Sequence, residues 1–208
     1  GVGRGNQNLI FTDEYFDGAV IHIVSSRHPD AKLKDLTTNR FFANAQNDKS
    51  VIEAFAGEVF GDVVKVSLDN NLVGLEWAGG LPGTVGAAVR GNVGAYGGEI
   101  KDCLVSAEVL DYSGEEPVVK TLTNEELHFV YRGSFVKTHK KMIVISARFQ
   151  LYKGSESEIV AAQLIFEKNI TSREKNHPLE YPNCGSVFKN IRDKEQVATV
   201  LAVYPDLV

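Results

Sequence analysis

Residues 72–99 read LVGLEWAGGLPGTVGAAVRGNVGAYGGE, and they hold nine of the chain's 19 glycines. Glycine is the costliest residue to order and weakens helix and strand interiors. Such a cluster therefore marks backbone that must pass close to something. Within it, Pro82-Gly83-Thr84-Val85-Gly86-Ala87-Ala88-Val89 suits a tight turn opening a short helix. Pro82 fixes φ, Thr84 is a capping residue type, and the small side chains admit a close neighbour. Bare N–H groups in such a turn can hold phosphate or another polar cofactor edge. A crossover that is Gly-rich only because two layers touch explains the composition equally well, and both readings stand open at this point. The nucleotide-binding patterns GxxxxGK[ST] and strand–GxGxxG–helix are absent, so a ligand loop here belongs to another class.

The rest of the chain is ordinary for a globular protein. It has 208 residues, 43% hydrophobic and 24% charged, enough for one or two domains with a sizeable core. A net charge of −5 argues against a nucleic-acid partner. No apolar run approaches the ~18 residues of a membrane span. Cys103 and Cys184 are far apart and read as free thiols of a reducing compartment. HExxH, CxxC and EF-hand patterns are missing, so no metal site is expected.

Working outward, β-rich runs fall at 9–11, 19–24, 41–45 and 51–56, with His22 inside the second. Phe60, Val63, Val64 and Leu68 recur at helical spacing, predicting a helix over about 59–70 that stops at Asn70-Asn71. Strands are expected at 103–110 and 118–122, a short helix starting at Thr123-Asn124-Glu125-Glu126, and a strand over 142–151. That last strand alternates Ile143, Ile145, Ala147, Phe149 and Leu151 on one face. Ile159, Ala162, Phe166 and Ile170 predict a helix over 155–172. A Pro-bounded connector, Pro178 to Pro182, is a candidate boundary, and a last helix is expected over roughly 194–202. Short strands and helices in this order point to an α+β fold rather than a doubly wound sheet.

Three further groups could carry chemistry. Arg132, in Tyr131-Arg132-Gly133-Ser134, has a planar guanidinium suited to a carboxylate, a phosphate or a developing oxyanion. Ser186 follows Gly185 after the connector, without a GxSxG elbow. Lys189-Asn190 adds a cation and an amide suited to a diphosphate or a sugar. His139 and His177 read as solvated, which leaves a Ser–His hydrolase poorly supported.

Taken together, Gly5-x-x-Asn8-Leu9 with Asp13 and Phe16-Asp17-Gly18, the Gly74–Gly86 run, Asn92-x-Gly94-Ala95-Tyr96-Gly97, Tyr131-Arg132-x-Ser134 and Gly185-Ser186-Val187-Phe188-Lys189-Asn190 resemble the UDP-N-acetylenolpyruvoylglucosamine reductase family. The match in order and spacing covers nearly the whole chain. The resemblance implies a two-subdomain FAD-binding α+β fold of the vanillyl-alcohol-oxidase type. Residues 1–24 would be the remainder of the first subdomain, 25–177 the second, and 178–208 the start of an α+β substrate domain. Gly5, Asn6, Gln7, Asn8, Leu9, Pro82, Gly83, Thr84, Gly86, Ala87, Asn92, Gly94, Ala95, Tyr96 and Gly97 would hold FAD. Arg132 would stabilise an enolate and Ser186 would donate a proton. Tyr131, Lys189 and Asn190 would line the substrate, a UDP-sugar enolpyruvyl ether reduced at the expense of NADPH. A monomer in a bacterial cytoplasm is implied.

The chain departs from that family at Gly5-Asn6-Gln7-Asn8, where Gly-Gly-Ser-Asn is usual, and at Gly86-Ala87, where Gly-Gly is usual. Strands that normally precede the first loop, and a C-terminal part bearing a catalytic Glu, have no counterpart. These 208 residues alone are therefore expected to turn over little or no substrate. Two other readings accompany the resemblance: another FAD-linked oxidoreductase of the same superfamily, and a flavin-binding module without catalysis. A carbohydrate-binding α+β domain without flavin is a third.

Overall fold

The chain's long apolar alternation ends up in the middle of its sheet. The computed structural model describes residues 49–176, 190, 191 and 193–206. The strands expected at 9–11, 19–24 and 41–45, and the connector at 178–182, lie outside the described residues. So do His22, His177 and Cys184.

Strand β1 (Lys49–Phe55) leads to helix α1 (Phe60–Asp69), strand β2 (Leu72–Val73) and a single 3-10 turn at Glu76–Ala78. Helix α2 (Val85–Gly91) follows, then the short hairpin β3 (Gly94–Ala95) and β4 (Gly98–Glu99). Strands β5 (Leu104–Asp111) and β6 (Val118–Thr123), one turn of helix α3 (Phe135–Thr138) and strand β7 (Met142–Lys153) complete the sheet. Helices α4 (Glu156–Asn176) and α5 (Lys194–Val203) close the described chain.

The main sheet has the order β1-β7-β5-β6, with β2 pairing the far end of β7, and every pair is antiparallel. Antiparallel strands with helices packed beside them make this an α+β fold, as expected. Helix α1 buries the predicted Phe60, Val63, Val64 and Leu68, and also Val66 and Ser67. Phe60 meets the rings of Trp77 and Phe149 at centroid distances of 6.3 and 6.0 Å, which joins helix, Gly-rich segment and sheet in one core. Asn71 takes φ +60°, ending the helix where two asparagines suggested.

Two local expectations need correction. The single-face reading of 142–151 fails at its start, because a bulge falls at Ile145. Glu108 pairs with Ser146 but Val109 pairs with Val144. One extra residue switches the pleat phase. Ala147, Phe149 and Leu151 are therefore buried together with Val144, while Ile143 and Ile145 are only half-buried. The helix start at 123–126 is also not extended. Glu126 accepts hydrogen bonds from the N–H and hydroxyl of Thr123, a capping pattern. Yet His128 turns to φ +41° and the segment remains a turn.

Cys103 is buried, and burial, with Asp102 nearby, pushes its thiol up to about 12. It is a core residue rather than a nucleophile.

Gly98 in β4 lies against the Trp77 indole, where a Cβ would overlap the ring. Gly98→Ala is expected to lower stability by about 1–3 kcal/mol through overpacking. Gly91→Ala serves as the contrast. It meets nothing within 4 Å and is expected to leave stability unchanged or to raise it by about 0.5–1 kcal/mol. Urea unfolding of the two variants checks the pair, and equal midpoints would contradict it.

Candidate functional site

The glycines of 72–99 divide into two groups by what a side chain would meet. A Cβ on Gly79 would lie 2.5 Å from the Phe166 carbonyl oxygen, and one on Gly86 would lie 2.8 Å from the Ala56 Cβ. On Gly94 it would be 2.7 Å from the Gly98 carbonyl oxygen. These glycines let chain pass chain. Gly83 (φ +104°) and Gly97 (φ +92°) differ: nothing lies within 4 Å of a Cβ there. Their dihedrals demand glycine while their side-chain positions stand open. The crossover reading of the composition is realised at the first group, and the second group leaves open space beside the backbone.

The turn before α2 is pinned by a short antiparallel bridge between Val59 and Thr84. Phe60 N–H donates to Gly83 O at 3.0 Å and Val85 N–H to Glu58 O at 2.9 Å. Gly86 N–H donates to Ala56 O at 2.9 Å. The N–H groups of Val85 and Gly86 are therefore taken by the main chain after β1. Those of Gly83, Thr84 and Ala87 have no acceptor among the described residues. Thr84 occupies the N-cap position, but its hydroxyl makes no capping bond. Three such N–H groups beside an open glycine form a cradle free to meet an acceptor outside the described residues.

Beyond the C-terminal end of α2, β3 and β4 are joined through Tyr96 (φ +50°) and Gly97 (φ +92°), two positive φ values in a two-residue loop of type I′. Tyr96 is 51% exposed at the tip. Gly94 and Ala95 supply the first strand, so the expected Gly94–Gly97 segment is one hairpin.

Asn92 holds the base of that hairpin. It is fully buried and takes the left-handed φ of +42°, which asparagine tolerates better than most residues. Its Nδ2 donates to the Glu99 carboxylate at 2.9 Å and to Val130 O at 3.1 Å. Its Oδ1 accepts from Lys101 N–H at 3.1 Å. The side chain is thus committed to the protein, and its part in the site is to fix what surrounds it.

Arg132 is the principal beneficiary. The Val130–Gly133 bridge closes a tight turn that puts Arg132 at φ +57°. Its Nη2 donates to Gly94 O at 2.6 Å and its Nη1 to Asn92 O at 3.4 Å. The guanidinium lies 5.0 Å from the Tyr131 ring centroid. No carboxylate among the described residues pairs with it. A cation held by neutral carbonyls keeps its full charge, with N–H groups to spare for an anion. Lys137 Nζ donates to Arg132 O at 2.7 Å, and Ser134 Oγ to Arg90 O at 2.8 Å, which anchors this loop to α2.

The structure thus brings Asn92, the Gly94–Gly97 hairpin, Tyr131 and Arg132 into one neighbourhood at the C-terminal end of α2, while Pro82–Ala87 form the N-terminal end of that helix against the chain after β1. Asn190 is exposed and no described bond ties it to residues 72–99. Gly5, Asn6, Gln7, Asn8, Leu9, Ser186 and Lys189 lie outside the described residues. Two residues of α4 belong to the neighbourhood without having been foreseen. Asn169, only 5% exposed, donates to the carbonyls of Glu76 and Trp77 at 3.4 and 3.3 Å. Arg173 stacks 5.7 Å from the Tyr96 ring centroid. The detectable signal was an asparagine falling on the apolar stripe of a predicted helix.

An antiparallel α+β domain carrying a glycine-lined cradle defines a class, and residues 33–120 match a family model described as an FAD binding domain. The solved UDP-N-acetylenolpyruvylglucosamine reductase of Thermus caldophilus superposes with a TM-score of 0.56 at 26% identity, over 72% of this chain and 53% of that one. UDP-N-acetylenolpyruvoylglucosamine reductases are similar in sequence. That of Staphylococcus carnosus is 42% identical over 188 residues, 90% of this chain and 53% of the relative. That of Latilactobacillus sakei is 40% identical over 182 residues, 88% and 52%. That of Lactococcus lactis subsp. cremoris is 45% identical over 138 residues, 66% and 44%. The chain is thus similar to UDP-N-acetylenolpyruvoylglucosamine reductases, and it spans about half the length of these curated relatives.

Proposed function

We propose that the protein containing this chain reduces UDP-N-acetylglucosamine enolpyruvate to UDP-N-acetylmuramate with NADPH, as a soluble monomer of the bacterial cytoplasm making peptidoglycan precursor. The observation that carries the reading is the Arg132 guanidinium, held by the carbonyls of Asn92 and Gly94 without a carboxylate partner. It stands at the base of a hairpin whose tip carries the open Gly97.

The residues present fit FAD. Gly83 leaves room for close approach, and the free N–H groups of Gly83, Thr84 and Ala87 offer donors to its acceptor atoms. Pro82 fixes the turn that presents them, and Gly86 seats that turn on Ala56. Gly94, Ala95, Tyr96 and Gly97 are assigned to the same cofactor, as are Gly5–Leu9 by the family resemblance. FAD, when bound, supplies hydride transfer from NADPH to the vinyl carbon of the substrate. In this reading residues 1–24 and 25–177 form the two cofactor subdomains, and 178–208 begin the substrate domain.

Arg132 meets the substrate carboxylate. As hydride adds to the vinyl carbon, negative charge accumulates on that carboxylate and its adjoining carbon. A preorganised guanidinium stabilises this charge without reorganising. Tyr131 lies beneath Arg132 and limits its movement. Ser186 delivers the proton that completes the saturated product, its weak acidity assisted by neighbouring groups. Lys189 and Asn190 bind the remainder of the UDP-sugar.

Ser186→Ala in the whole protein tests the assignment. Bleaching of the flavin by NADPH is expected to proceed as in wild type. Recovery of colour on adding the enolpyruvyl substrate is expected to slow about 10²–10⁴-fold. Recovery at the wild-type rate would overturn the reading.

A further inference from the structure

A second arginine stands at the opposite end of the hairpin from Arg132. Helix α4 is fastened to the Gly-rich segment by Asn169, through the carbonyls of Glu76 and Trp77. It is fastened to the hairpin tip by the Tyr96 hydroxyl, which donates to Asn169 O at 3.4 Å. One helical turn further on, the stem of Arg173 lies against Gly80, where a Cβ would be 3.1 Å from Arg173 Cδ. Gly80 itself takes φ +69°. The guanidinium is carried over the Tyr96 ring at 5.7 Å.

This placement leaves a polar atom stranded. Arg173 Nε is buried and has no hydrogen-bond partner, alone among the buried side-chain nitrogens and oxygens of the described residues. Leaving a charged donor unpaired away from water costs more than leaving a neutral one. Stacking on Tyr96 does not answer the need. The ring attracts the face of the guanidinium, whereas the N–H groups lie in its plane and point past the ring. No carboxylate among the described residues pairs with Arg173. Burial lowers its proton affinity, but a guanidinium stays charged at any physiological pH. With Nε enclosed, the planar pair of Nη groups is the donor fork left to face outward, a shape that takes two oxygens of one phosphate.

We propose that Arg173 is a binding residue for a diphosphate, seated at the tip of the β3–β4 hairpin beside Gly80 and Tyr96. The source of the ligand rests on the flavoenzyme reading, in which both the cofactor and the UDP-sugar carry a diphosphate. Arg132 and Arg173 then divide the anions between the two ends of one hairpin, carboxylate at the base and diphosphate at the tip. Tyr96 acts as the spacer that keeps the Arg173 fork edge-on to its ligand.

The test uses Arg173→Gln and Arg173→Lys in the whole protein, with two probes. FAD is titrated into the deflavinated protein by fluorescence quenching, and UDP into the holoprotein by calorimetry. Thermal unfolding without ligand is recorded for each variant. Arg173→Gln is expected to weaken one of the two affinities about tenfold or more, and Arg173→Lys less, since it keeps the charge and loses the fork. A shift in the FAD arm assigns the cofactor's diphosphate, and a shift in the UDP arm the substrate's. Affinities within about twofold of wild type in both arms would overturn the proposal. So would losses equal in both variants that follow a fall in unfolding temperature, the mark of a packing role. If Arg173→Gln does not fold, Arg173→Lys decides alone: a selective loss in one arm supports the site, and no loss overturns it. Wild-type protein that binds neither FAD nor UDP would instead sink the flavoenzyme reading itself.

Discussion

Asn92→Ala is expected to lower the free energy of unfolding by about 2–4 kcal/mol, the largest effect of any polar substitution in the described domain. The change removes three hydrogen bonds at once, to the Glu99 carboxylate, to Val130 O and from Lys101 N–H. Glu99 keeps Lys101 Nζ and Asp102 N–H, and Val130 O keeps Gly133 N–H, so Lys101 N–H is the group that loses its acceptor. Each lost hydrogen bond costs about 0.5–1.5 kcal/mol, with the loss at Lys101 N–H towards the upper end. Alanine also inherits a φ of +42°, a strain of roughly 1 kcal/mol. Asn92→Gly separates the contributions. It removes the same hydrogen bonds but accepts the dihedral, and should be less damaging than alanine by about 1 kcal/mol. Asn92→Asp keeps the shape while placing a second carboxylate against Glu99, and should be as harmful as alanine. Urea denaturation of the variants reads all of these. An alanine variant within about 0.5 kcal/mol of wild type would show that the network does not hold the hairpin.

The second large effect is on chemistry. Arg132→Ala in the whole protein is expected to slow substrate reduction about 10²–10³-fold, the usual cost of removing one preorganised charge donor. Flavin reduction by NADPH should change little, because Arg132 is assigned to the substrate carboxylate. Lysine is not expected to rescue. Its ammonium is a point charge and cannot reach Gly94 O and Asn92 O while still presenting a fork to the ligand. Rapid-mixing measurement of the two half-reactions checks this. Equal slowing of both would move Arg132 from the substrate to the cofactor.

Stability of the Asn92 network and activity of Arg132 are linked through the main chain. Asn92 O and Gly94 O hold the guanidinium, and the Asn92 side chain holds the strand that bears both carbonyls. A variant at Asn92 that still folds should therefore lose substrate reduction more than flavin affinity.

Elements that rest on local periodicity were legible in the sequence. The stripe of Phe60, Val63, Val64 and Leu68 marked α1 to within a residue at each end. The face of β7 was not, because a bulge at Ile145 depends on how β5 pairs with it. Capping chemistry at Thr123 and Glu126 was present without a helix, since nothing propagates it past His128.

The glycines show a sharper limit. Composition located the segment, but it could not say that Gly86, Gly94 and Gly98 are small for the sake of the chain while Gly83 and Gly97 stand open. That distinction lies in contacts across the fold. Asn92 was legible as a site residue and illegible as a buried support. Its bond to Val130 spans 38 residues, and the Arg132 bond to its carbonyl spans 40. Asn169 and Arg173 went unseen because a helix stripe read by hydropathy passes over polar residues.

Anaerobic titration of the whole protein bears most directly on whether this neighbourhood serves a flavin. The account predicts a yellow protein whose colour is lost on adding NADPH and returns on adding UDP-N-acetylglucosamine enolpyruvate, without oxygen. A protein without flavin absorbance after saturation with FAD, or one whose colour returns only on admitting air, would contradict it.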